Sequence, residues 1–199
     1  MDIELCGNTN NPNVLVIGVF HGDEPQGNYL AQKYLSFYPN TNLLFIPCLN
    51  KYGMEHNTRV NENGVDLNRN FPTNNWELGE YNEYFGGNKP ASEEETKFLI
   101  SIIEKYNPKA ILTLHSPYKV VNYDGGCVNE SGKKLAEKIS AIIGYSVEES
   151  IGYPTPGSFG TWAGIERDIP TITLELDEEI DVEELVKPVF EIFEMLENY

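Results

Sequence analysis

VLVIGVFHGDE, residues 14–24, is the stretch from which the fold is read. From Val14 to Phe20 every residue is apolar or glycine, with no alternation between two faces. A short run of this kind, bounded by polar residues, is the pattern of a central strand covered on both sides. It ends on His21, one of only three histidines in the chain, followed by Asp23 and Glu24.

Strand and helix signals alternate outward from that run. Residues 24–37 carry Leu30, Ala31, Tyr34 and Leu35 at helical spacing, and Asn42–Pro47 (NLLFIP) reads as a second apolar strand. Residues 50–91 hold many Asn, Gly and Pro and few periodic apolar positions, so they read as a long functional loop region. Ser92-Glu-Glu-Glu95 matches a capping box and opens a helix with Phe98, Leu99, Ile102 and Ile103 on one face. Ala110–Leu114 (AILTL) is a third strand, and Ser131 caps a helix carrying Leu135, Ala136, Ile139, Ile142 and Ile143. A Gly/Pro loop covers 152–161, Thr171–Leu176 is a fourth strand, and a helix beginning near Val182 closes the chain. The alternation predicts an α/β sheet with helices on both faces, and with no repeat or linker visible, residues 1–199 read as one domain.

Composition narrows the function classes. Hydrophobic residues make up 40% and aromatics 12%, an ordinary globular composition. Against 14 basic residues stand 31 acidic ones, a net charge of −17, which repels phosphate backbones and anionic membranes. Neither nucleic acid nor membrane is therefore an expected partner. The opening MDIELCGNTNNPN has no basic or apolar leader signature, and no run is long enough to span a bilayer. Cys6, Cys48 and Cys127 are odd in number and widely spaced, which predicts free thiols and a cytoplasmic location. Oligomeric state is not legible.

Ligands of open α/β sheets bind outside the carboxyl ends of the strands. Three strand ends here carry chemistry: Phe20 leads to His21 and Glu24, Leu114 to His115, and Leu174 to Glu175. Alone, His-x-x-Glu is a weak signal, since a histidine after a strand is more often structural and acids suit a helix amino end. Two histidines and a carboxylate converging from separate strands are a donor set that catalytic zinc takes with one position left open. On the strand TITLEL, Ile172, Leu174 and Leu176 share one face, which puts Glu175 with Thr171 and Thr173 on the other.

The segment Arg59–Pro72, RVNENGVDLNRNFP, resembles the zinc carboxypeptidase family. Further matches follow in family order: HGDE at 21–24, YFGGNKPASEEET at 84–96, LHS at 114–116, GYPTPGSFGTW at 152–162 and TLEL at 173–176. The resemblance implies a three-layer αβα sandwich with a mixed, mostly parallel sheet of eight strands. It implies one Zn2+ held by His21, Glu24 and His115, with Glu175 as general base and Arg59 polarising the scissile carbonyl. Asn68 and Arg69 would bind the substrate's terminal carboxylate. Tyr153, nine residues before Trp162 and 22 before Glu175, would close over substrate, and Gly160 would lie at the floor of the specificity pocket. The family's Asn-Pro-Asp-Gly turn departs here to Asn50-Lys-Tyr-Gly53.

Within the family the pattern is most similar to the branch that hydrolyses the γ-D-glutamyl–meso-diaminopimelate bond of murein peptides. A peptide ending in a free carboxylate, the murein tripeptide, is the expected substrate; trimming of ordinary peptides, deacylation of N-acyl amino acids and a catalytically silent peptide binder are the alternatives. Asp23 is expected to orient a ligand histidine. Asp177 is a candidate for attracting the substrate's second ammonium, while His56 reads as a surface residue. Trp76, Tyr81, Tyr84 and Phe85 either wall the cleft or pack the long loop.

Overall fold

The structure, a computed structural model, describes residues 3–126, 130–149 and 154–199. Its strands are β1 (Cys6–Gly7), β2 (Val14–Ile17), β3 (Leu44–Ile46), β4 (Ala110–His115), β5 (Val120–Asp124), β6 (Ser146–Glu148) and β7 (Thr171–Glu175). Its α-helices are α1 (Gln26–Phe37), α2 (Lys51–His56), α3 (Glu94–Tyr106), α4 (Ser131–Ile143) and α5 (Val182–Leu196).

The strands form one sheet in the order β1-β3-β2-β4-β7-β5-β6. Pairs β2/β3, β2/β4, β4/β7 and β5/β6 are parallel, whereas β1/β3 and β5/β7 are antiparallel. The mixed, mostly parallel sheet is as expected, with seven strands among the described residues in place of eight. Strand β2 explains its own unbroken apolarity. Val14 and Val16 pack with Leu30, Tyr34, Val189 and Phe193 of α1 and α5, while Leu15 and Ile17 pack with Leu99 and Ile103 of α3. Both faces are buried, so a polar residue fits nowhere along it.

From β2 the chain crosses through α1 to β3 on one side, and later through α3 to β4 on the other. This reversal of strand order opens a crevice at the carboxyl ends of β2 and β4, the usual ligand position in such sheets. The turn after β2 is held tightly there. Gly22 lies against the backbone of Gly53 so closely that a Cβ on it would collide with the α2 main chain. Among the described residues no helix is long and apolar enough to cross a membrane.

Two predicted caps are corrected. Ser92 Oγ is occupied by Asn70 Nδ2 and Glu93 Oε1, so Glu93 takes the N-cap position of α3 and makes no side-chain cap bond. Ser131 is the first residue inside α4, its hydroxyl donating to the Gly126 carbonyl, and Glu130 precedes it as N-cap.

Candidate metal centre and active site

His21 follows the β2 end, Glu24 lies in the turn before α1, and His115 is the last residue of β4. Their ligand atoms all fall within 4.8 Å of one another. His21 Nδ1 lies 2.8 Å from Glu24 Oε1, and His115 Nδ1 lies 2.9 Å from Glu24 Oε2. The two Nδ1 atoms face each other at 3.3 Å. Nitrogens bonded to a tetrahedral zinc at about 2.0–2.1 Å stand roughly 3.3 Å apart, so this spacing is that of a ligand pair. Both rings are buried, and the His115 ring stacks on Phe20 with centroids 5.5 Å apart.

The electrostatics also fit a cation. Burial alone would lower the His21 pKa, but the carboxylates of Asp66 and Glu24 override it and raise it to about 9. Glu24, opposed by burial, is nevertheless held well below the usual carboxylate range by His21 and His115. A buried pocket that binds a proton this firmly is one that favours positive charge. A metal would replace that proton.

The residue that orients His21 is Asp66, not Asp23. His21 Nε2 lies 3.2 Å from Asp66 Oδ1, and the Asp66 side chain is fully buried. Asp23 is exposed, which corrects the expectation for it. Asp66 also accepts from Arg59 Nε at 3.0 Å and pairs with Arg59 Nη2 at 2.9 Å. It lies two residues before Asn68, and a lone acid between Val65 and Leu67 was the signal available.

Glu175 emerges beside His115 because the two are register partners in the parallel β4/β7 pair. Its Oε2 is buried with no hydrogen-bond partner among the described residues. Burial raises its pKa above the usual carboxylate value. Next to it opens a cavity of about 430 Å3, lined by the His21, Glu24 and His115 cluster and by Arg59, Asn68 and Arg69. Asn68 Oδ1 accepts from the Phe159 amide at 2.9 Å, which leaves its NH2 group as the end available to a ligand. Arg59 is sandwiched between Asp66 and the Tyr84 ring, 5.1 Å from its Cζ, with Nη1 turned toward Glu24 at 3.7 Å.

Of the aromatic residues proposed to wall the cleft, Tyr84 lines the cavity; Trp76, Tyr81 and Phe85 do not. His56 is exposed, bonded to the Tyr52 carbonyl. Asp177 is already paired with Lys119 Nζ at 2.8 Å, so it is not free to attract a second cation. Gly160 is among the residues bordering the cavity, and Tyr153 lies outside the described residues.

The zinc carboxypeptidase family profile matches residues 6–184. Murein peptide amidase A of Vibrio campbellii is 33% identical over 180 residues, covering 83% of this chain and 70% of that one. Murein peptide amidase A of Escherichia coli K12 is 34% identical over 141 residues, 64% of this chain, and the match spans 55% of that relative's length. Among solved structures, the murein-tripeptide amidase of Escherichia coli O157 superposes with a TM-score of 0.77 at 29% identity, over 96% of this chain and 83% of that one. Carboxypeptidase A of Helicoverpa armigera shares the fold at a TM-score of 0.73 and 18% identity, over 94% of this chain and 60% of that one. With the family profile matching residues 6–184, the chain belongs to the zinc carboxypeptidase family.

Proposed function

We propose that this chain is a zinc-dependent amidase that hydrolyses the γ-D-glutamyl–meso-diaminopimelate bond of murein peptides and releases the residue bearing the free carboxylate. One observation carries the reading. A single cavity joins the His21, Glu24 and His115 donor set to Glu175, whose Oε2 is unpartnered, and to the guanidinium groups of Arg59 and Arg69. The murein peptide amidase names of its relatives support the choice of bond. The free thiols of Cys6 and Cys48 suit a cytoplasmic setting.

Zinc, when bound, supplies Lewis acidity and brings the pKa of a water toward about 7. The chain's own residues do the rest. Glu175 takes a proton from the attacking water and returns it to the leaving amine nitrogen as the C–O bond forms and the C–N bond breaks. Arg59 Nη1 offers a donor to the oxygen on which negative charge develops, in a site shielded from bulk water. Arg69, buried, and the Asn68 amide capture the terminal carboxylate, and that capture restricts cleavage to the last bond of the peptide.

The deciding assay is incubation of zinc-loaded protein with L-alanyl-γ-D-glutamyl-meso-diaminopimelate, with free diaminopimelate as the expected product. No release would sink the reading, and turnover confined to α-linked peptides would replace it with an ordinary carboxypeptidase. Arg69→Lys keeps the charge but loses the planar fork that matches a carboxylate. Steady-state kinetics should show kcat/KM falling about 10-fold, mostly through KM, the cost of about one charge-assisted hydrogen bond. An unchanged KM would remove Arg69 from substrate binding.

A further inference from the structure

Arg59 leans on Asp66 through a single oxygen. Its Nε donates to Asp66 Oδ2 at 3.0 Å, and its Nη2 pairs with the same atom at 2.9 Å. The other oxygen, Oδ1, is taken by His21 Nε2 at 3.2 Å and by the Asn68 amide at 2.8 Å. A guanidinium fork is held flat when its two N–H groups meet two oxygens of one carboxylate. Here both converge on one oxygen, so the pair anchors the charge and leaves the plane free to rock about Oδ2. Nη1, the remaining corner, makes no hydrogen bond among the described residues, and Glu24 Oε1 lies 3.7 Å from it. A swing of about 1 Å would close that gap to a charge-assisted hydrogen bond and turn Nη1 onto Glu24.

The ring of Tyr84 opposes that swing. It lies over the guanidinium, with its centroid 5.1 Å from Cζ, and it forms part of the cavity wall. The segment that carries it is tied to Asp66, because the Asp66 amide donates to the carbonyl of Phe85, the next residue, at 2.8 Å. Phe85 is buried, and the Tyr84 amide donates to Asn82 Oδ1 at 2.8 Å, so the backbone beneath the ring is fixed. The Tyr84 hydroxyl lies beside the Glu83 carboxylate, which leaves the ring face as the part that meets Arg59. Arg59 therefore has an anion along one edge and a π face across its plane.

We propose that Tyr84 is the positioning residue of Arg59: its ring fixes the guanidinium plane so that Nη1 is presented to the cavity and withheld from Glu24. The inference rests on the hydrolase reading, in which Nη1 meets the oxygen that gains negative charge. A donor that must rotate into place costs reorganisation at the moment of reaction, whereas one already aimed does not. The face of an aromatic ring attracts a cation through its quadrupole, and a guanidinium stacks flat on it. Leucine covers the same surface without that preference. Loss of the ring should therefore weaken the step in which charge develops and leave carboxylate capture by Arg69 and Asn68 as it was.

The test compares Tyr84→Leu with Tyr84→Phe in the full zinc-loaded chain. Tyr84→Leu should lower kcat about 10-fold at native zinc content, the scale of a cation–π contact partly shielded from water, with KM within twofold. Tyr84→Phe keeps the ring and should keep kcat within twofold. Native kcat in Tyr84→Leu overturns the inference, as does an equal loss in both variants or a loss carried by KM. A second measurement needs no turnover. The Nε–H resonance of Arg59, assigned by its disappearance in Arg59→Lys, should lie upfield in the native chain and in Tyr84→Phe, and should move downfield in Tyr84→Leu. An unmoved resonance overturns the inference as well. The two proposals fail separately. Cleavage of α-linked peptides alone, with the same pattern at Tyr84, would end the murein amidase reading and leave Tyr84 its role. Cleavage of the γ-linked tripeptide at the native rate by Tyr84→Leu would end only the inference.

Discussion

Replacing Glu175 with Gln is expected to lower kcat by about 10²–10⁴-fold, the usual contribution of a positioned general base, while zinc content stays at the native level. The separation follows from geometry. Glu175 lies beside His115 by strand register, yet the donor cluster closes on His21, Glu24 and His115 without it. Gln has the same shape and fits the same buried position, so metal and fold should both survive. An amide nitrogen cannot take a proton from water, and the step that needs a base fails. The unpartnered Oε2 sharpens the expectation, since no hydrogen bond within the described chain competes for it. Metal analysis and steady-state kinetics on one preparation check it. Native kcat at full zinc would remove Glu175 from the mechanism, and loss of zinc would make it a ligand.

Most of the sheet is legible because its central strands are buried on both faces. β2 and β4 carry nearly unbroken apolar runs, β7 alternates Ile172 and Leu174 with threonines and Glu175, and α3, α4 and α5 carry apolar positions at helical spacing. The strands that escape are the short or polar ones. β1 has two residues and β6 has three, while β5 reads Val-Val-Asn-Tyr-Asp, a half-polar sequence with little to separate it from a loop. Missing β5 hides Asp124, which reaches the cavity through antiparallel pairing with β7 and lies against Gly160, far away in sequence. Ser92 misleads for the opposite reason: its local pattern fits a capping box, but Asn70 from the long loop claims the hydroxyl. The candidate metal ligands are legible because His115 ends a strand and His21 and Glu24 stand in the turn that leads from one into α1, whereas their supports require the folded loop.

Asp66 is the support on which most depends, and Asp66→Ala is expected to destabilise the metal-free protein by about 3–5 kcal/mol. The carboxylate is fully buried between His21 and Arg59, and it also accepts from the Asn68 amide at 2.8 Å. Burial disfavours its charge, but His21 and Arg59 outweigh that and hold its pKa well below the usual carboxylate range. Removing it leaves the partly buried Arg59 guanidinium without its main partner and His21 without its orienting contact. Denaturant melts of the metal-free chain read the stability loss, and zinc titration reads the second consequence. Asp66→Asn keeps the volume but not the charge, so it should lose less stability and still bind zinc about 10–100-fold more weakly, the range for an outer partner of a ligand histidine. If Asp66→Asn bound zinc within twofold of the native chain, Asp66 would be a structural anchor for Arg59 alone. His21 would then owe its orientation to the tight turn at Gly22 and the backbone of Gly53.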